Sequence, residues 1–214
     1  RPRADLKRPR KFAINQGEGE DEPEIKMGPV PKFGEKIKIE GMKLTLLPVK
    51  KGTFRMGKGK RARDVRLNYE FWMGRCEVRQ GDFQKVINFQ WNNFKGYDVP
   101  VNGVSLRSAH DFAWMLTESE RRHGRLPKGY VYRLPTEEEW EYCCRAGQKD
   151  PKEIDMFKHY KGEAWHLVGG PKPVGTLKAN PWGFHDFHGN VSEWCLYDCK
   201  KVRPEDLTVE LCLA

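Results

Sequence analysis

The string Arg133-Leu134-Pro135-Thr136-Glu137-Glu138-Glu139-Trp140 leaves its backbone little choice. A proline pushes the residue before it out of the helical region, so Arg133-Leu134 is extended. Thr136 followed three residues later by Glu139 is a capping box, in which each side chain satisfies the other's free backbone amide. A helix therefore starts at Thr136 and runs to about residue 146, turning Trp140, Cys143 and Cys144 inward. An extended segment that feeds directly into a capped helix points to an α+β fold.

The rest of the chain agrees. Ala109, Phe112, Ala113 and Leu116 recur at the spacing of one buried helical stripe, which predicts a second helix over 106–122. Ile37, Ile39, Met42, Leu44 and Leu46 fall largely on alternate positions, as in paired strands with a turn near Glu40-Gly41. Phe54-Arg55-Met56-Gly57 is expected to end that sheet segment, and Tyr69 to Met73 to add another strand. Asp82, Phe83, Val86 and Ile87 suggest a short helix. Beyond Gly147 turn markers such as Gly169-Gly170-Pro171 and Asn180-Pro181 dominate. The expectation is an α+β domain of low regular secondary structure with a long loop-rich half. It spans residues 36–200, between an N-terminal extension (1–35) and a C-terminal one (201–214).

Charge is unevenly placed. The formal net charge is +9 and the isoelectric point about 9.2. Arg1, Arg3, Lys7, Arg8, Arg10 and Lys11 form a basic tail, Glu18 to Glu24 an acidic block, and Lys58, Lys60, Arg61, Arg63 and Arg66 a second basic cluster. These runs are expected to be solvated tail and loop. Seven Trp, seven Tyr and eleven Phe nevertheless require an aromatic core. No apolar run approaches the ~20 residues of a membrane helix. The chain opens on Arg1 with no signal-peptide pattern, as expected of an excised or processed chain, and its localisation stays open. Six cysteines permit disulfides without implying them, and Cys143-Cys144, being adjacent, would make a strained one.

Several segments, in order, resemble the formylglycine-generating enzyme family, also called sulfatase-modifying-factor domains, with a C-type-lectin-like fold. The segments are Phe54-Arg55-Met56-Gly57, Cys76-Glu77-Val78, Val99-Pro100-Val101 with Val104-Ser105, the string Tyr132 to Tyr142, and the string Asn180 to Trp194. In that family the last string holds a structural calcium ion. The resemblance implies Asp186 and Glu193 as side-chain ligands and Gly189 and Val191 as carbonyl ligands. The chemistry is consistent: Gly189 before Asn190 permits a tight bend, and mixed carboxylate and carbonyl oxygens suit calcium. His185 and His188, with no third ligand nearby, are read as hydrogen-bonded side chains.

The family's oxidases bind copper(I) through two cysteines that follow this string. The sequence as given runs twenty residues past Trp194 and lacks the matching arginine-glycine-glycine-serine segment and closing strand. Cys195, Cys199 and Cys212 are not in matching context, so no catalytic residue is assigned. Ser192 and Leu106 also stand where tryptophan is usual. Three readings follow. In the favoured one, the chain is a non-catalytic binding or scaffold subunit with a protein partner, within a larger assembly. The others are a fragment of a copper-dependent oxidase that converts a sulfatase cysteine to formylglycine, and a basic subunit whose tail meets nucleic acid.

Overall fold

The computed structural model describes residues 27–89, 94–147 and 170–196, and the backbone of a strand at 207–210. Five strands form the main sheet in the order β1-β2-β5-β7-β6. They are β1 (Ile37–Lys38), β2 (Thr45–Val49), β5 (Phe71–Gly74), β6 (Tyr130–Arg133) and β7 (Leu207–Glu210). β3 (Gly52–Met56) and β4 (Arg63–Leu67) form a separate antiparallel ribbon. Three helices complete the described residues: α1 (Gln80–Gln84), α2 (Leu106–Arg122) and α3 (Glu137–Arg145), with one 3-10 turn at Gly59–Arg61. None of them is long and apolar enough to cross a membrane.

The alternation in β2 and β5 builds a core on each face of the sheet, because successive strand residues point to opposite sides. Leu46 and Trp72 join Val78, Phe83, Phe112, Leu116 and Tyr132 under α2. Their neighbours Leu47, Phe71 and Met73 face the other way, toward Phe54, Val65, Tyr142, Phe184 and Phe187 beside α3. Phe83 and Phe112 stack with ring centroids 4.8 Å apart. Ser105 caps α2 by accepting from the Ser108 amide, and Thr117 ties that helix to β6 by accepting the Tyr132 N–H at 2.8 Å. The capping box of α3 is complete: Thr136 Oγ1 accepts from the Glu139 amide at 3.2 Å, and Glu139 Oε2 from the Thr136 amide at 2.7 Å.

One expectation is corrected, and the structure adds detail at each end of the domain. Phe54 to Gly57 does not end the first sheet: both edges of β2 are taken, by β1 and β5, so β3 pairs only with β4. The C-terminal stretch 201–214 contains a strand. Leu207–Glu210 lies between β5 and β6, parallel to both. Four residues offer too few alternations to announce a strand. At the other end, packing begins ahead of the boundary at 36. Gly28 donates to the Leu126 carbonyl at 3.2 Å, and a Cβ there would fall 2.2 Å from the Arg125 carbonyl oxygen. Phe33 meets Trp72 edge-on at 5.5 Å, and Trp72 Nε1 donates to the Glu35 carbonyl. The basic tail and acidic block lie outside the described residues.

Candidate functional site: a carboxylate loop beside an aromatic cleft

The loop that follows Asn180 is folded around that side chain. Asn180 Oδ1 accepts from the amides of Trp182 (3.0 Å) and Phe184 (3.2 Å), while Nδ2 donates to the Cys143 carbonyl at the end of α3. The far end is stitched to the entrance of the same helix, where Leu196 donates to the Pro135 carbonyl and accepts from the Glu137 amide. Between these anchors the backbone turns tightly, with positive φ at Asp186 (63°), Gly189 (150°) and Asn190 (65°). Asn190 secures the turn by accepting from the Lys172 amide at 2.8 Å.

Asp186 is buried. Its Oδ2 accepts from the Gly175 amide, and its Oδ1 meets no donor. Glu193 accepts from Trp140 Nε1 at 2.9 Å. Behind them stands Glu77, whose role its place in the Cys76-Glu77-Val78 segment does not announce. It is 2% exposed, and neither carboxyl oxygen meets a donor. Burial, and then the charges of Glu193 and Asp186, push its carboxyl well above the usual carboxylate range. Two ionised carboxylates cannot hydrogen-bond each other, whereas a proton on Glu77 can be shared with Asp186.

This donor set fits a hard cation. Carboxylate oxygens suit such an ion, and Asp186 Oδ1 is a buried acceptor in want of a partner, which calcium would supply. Asp186 and Glu193 would hold the ion, with Gly189 and Val191 at the intervening bend. Among the described residues, no three Asp, Glu, His or Cys side chains converge as a metal cluster, so carbonyls and water would complete such a shell. His185 Nδ1 donates to the Leu177 carbonyl at 2.7 Å, and His188 lies 3.8 Å from Cys144 Sγ.

On the outer side the same loop borders a cleft of about 490 Å³, lined by Phe94, Asn102, Val104, Val191, Glu193 and Trp194 among others. Phe94 and Trp194 are exposed aromatics. Trp194 is fixed by a bond from Nε1 to the Val104 carbonyl at 3.0 Å. Phe94 sits at φ 48°, a strained value for a residue with a Cβ. The fully buried Gln80 holds it there, donating to the Phe94 and Pro100 carbonyls and accepting from Gly96.

The described thiols are uniformly suppressed. Burial pushes Cys76 and Cys144 up to about 12 and raises Cys143 and Cys195 as well, with carboxylates such as Glu193 adding to the effect on Cys144 and Cys195. All four are free cysteines. Cys199 and Cys212 lie outside the described residues.

Among solved structures the fold is similar to variable protein 1 of Treponema denticola (21% identity, 75% of each chain, TM-score 0.60). It is also similar to PvdO of Pseudomonas aeruginosa (21% identity, 85% of this chain and 82% of that one, TM-score 0.60). The sequence is 28% identical to a protein named chaperone LppX of Paenibacillus barcinonensis, over 70% of each chain. It is 38% identical to the formylglycine-generating enzyme of Mycobacterium tuberculosis, over 29% of this chain but 26% of that enzyme. Residues 38–209 match the sulfatase-modifying factor enzyme 1-like domain, and the chain belongs to that family.

Proposed function

We propose that this domain works by binding rather than by oxidation, as a non-catalytic scaffold or holding subunit whose loop 186–193 is organised by calcium. The observation that carries this reading is the state of the thiols. Copper(I) chemistry needs sulfur ligands that are deprotonated and jointly accessible. Among the described residues, Cys76, Cys143 and Cys144 are instead buried in the core, and Cys195 is half-buried, so no two of these thiols are offered together at the surface. The cleft between Phe94 and Trp194 supplies what binding needs: exposed aromatic faces held in place by hydrogen bonds from the Gln80 side chain to the Phe94 carbonyl and from Trp194 Nε1 to the Val104 carbonyl. The likeness to a protein named as a chaperone supports a partner of protein character.

The oxidase reading draws on the shared segment with the mycobacterial enzyme, and one assay separates the two. The chain is loaded with copper(I) and offered a sulfatase-type cysteine peptide, and formylglycine is measured by mass. The binding reading expects no turnover. Turnover that disappears in a Cys195→Ser, Cys199→Ser double variant would overturn it.

A further inference from the structure

We infer that the β3–β4 ribbon is a second, independent interaction surface, one that takes the phosphate backbone of double-stranded nucleic acid. The ribbon pairs with no other strand among the described residues. Phe54 and Val65 face the core, and cross-strand partners Thr53–Arg66 and Arg55–Asp64 face out. Lys50 and Lys51 lie at its base, with Arg66 near them, and Lys58, Lys60 and Arg61 stand at its tip. All six of these cations are exposed, and no carboxylate among the described residues pairs with any of them. Arg55 and Arg63, by contrast, are matched to Asp64 and Glu138.

The shape selects among polyanions. Strands of five residues separate the base and tip groups by about 17 Å, at ~3.3 Å per residue. That length reaches both phosphate backbones flanking a groove about 12 Å wide, which itself admits a two-stranded ribbon. No large exposed hydrophobic residue falls between Lys50 and Leu67, so the ribbon offers no face on which single-strand bases could stack. The contact is therefore electrostatic and indifferent to sequence. The capped helix α3 holds this surface rigidly on the core. Gly57 N–H donates to Glu141 at 2.7 Å, and Arg63 bonds Glu138 at 2.7 Å.

The test uses the full chain and a fluorescein-labelled duplex of mixed sequence, titrated by anisotropy over a range of salt. One variant carries Lys58→Gln, Lys60→Gln and Arg61→Gln; a control carries Arg8→Gln, Arg10→Gln and Lys11→Gln in the tail. The ribbon variant is expected to bind at least about tenfold more weakly, with a log–log salt slope shallower by roughly 2–3, since each phosphate contact contributes about 0.9. Unchanged binding by the ribbon variant would overturn the proposal, whatever the tail variant does. So would failure of the unmodified chain to bind duplex, or tighter binding to single strands or to phosphatidylserine vesicles.

Discussion

Glu139 and Glu77 are both carboxylates almost wholly removed from water, and their surroundings are opposite. Glu139, at the entrance of α3, has every oxygen engaged: by the Thr136 amide, by a two-bond clasp from Arg133, and by the Tyr69 hydroxyl at 2.5 Å. Glu77, beneath the loop that carries Asp186 and Glu193, meets other carboxylates and no donor. Desolvating a charge is costly unless partners replace the lost water. The first region is thus complete within the protein. The second gains most from a ligand that brings positive charge.

Breaking the complete region should do the most damage. Glu139→Ala removes the capping box and strands Arg133, whose side chain is mostly buried. Loss of one partner of a buried ion pair typically costs about 3–5 kcal/mol, so a large fall in the urea midpoint is expected, independent of calcium. A variant as stable as the unmodified protein would mean that the cap is ornamental.

Calcium should act on the other region alone. A ligand that binds only the folded state at a hundredfold excess over Kd adds about 2.7 kcal/mol, visible as a higher Tm. Glu193→Ala should abolish that rise. Glu77→Gln should raise the stability of the metal-free protein most at higher pH, where the Glu77 carboxyl gives up the proton it can share with Asp186, because an amide stays a donor at every pH. If chelated protein melts at the same temperature with and without added calcium, the contrast between the two regions loses its explanation.

The same contrast shows what sequence could and could not reveal. The cap at Thr136, the apolar stripe of α2 and the order of the two long strings are local patterns, legible because their partners lie within a few residues. Glu77 escaped notice because its meaning is non-local. It is followed directly by Val78, a residue of the α2-side core, and only the folded chain brings it under residues 186–193. Phe94 is similar, its strain being set by Gln80 fourteen positions earlier. Strand β7 was missed for another reason, since a four-residue strand is recognisable mainly from the neighbours it inserts between. The hairpin charges were visible as residues, but their arrangement at the base and tip of one rigid ribbon was not.

The central claim, that the described cysteines serve packing and not chemistry, is tested most directly by residue-resolved alkylation of the native protein. Iodoacetamide labelling followed by peptide mass analysis is run at pH 8 and pH 10, folded and in denaturant. A thiol reacts as its thiolate, and Cys76 and Cys144, pushed up to about 12, stay protonated through that range. The expected result is that the buried Cys76, Cys143 and Cys144 label at least about a hundredfold more slowly folded than unfolded, a protection set by opening of the native state, and that half-buried Cys195 labels more slowly than a free thiol. Labelling of Cys195 or Cys144 in the folded protein at the rate of a free thiol would contradict the claim and return the oxidase reading to first place.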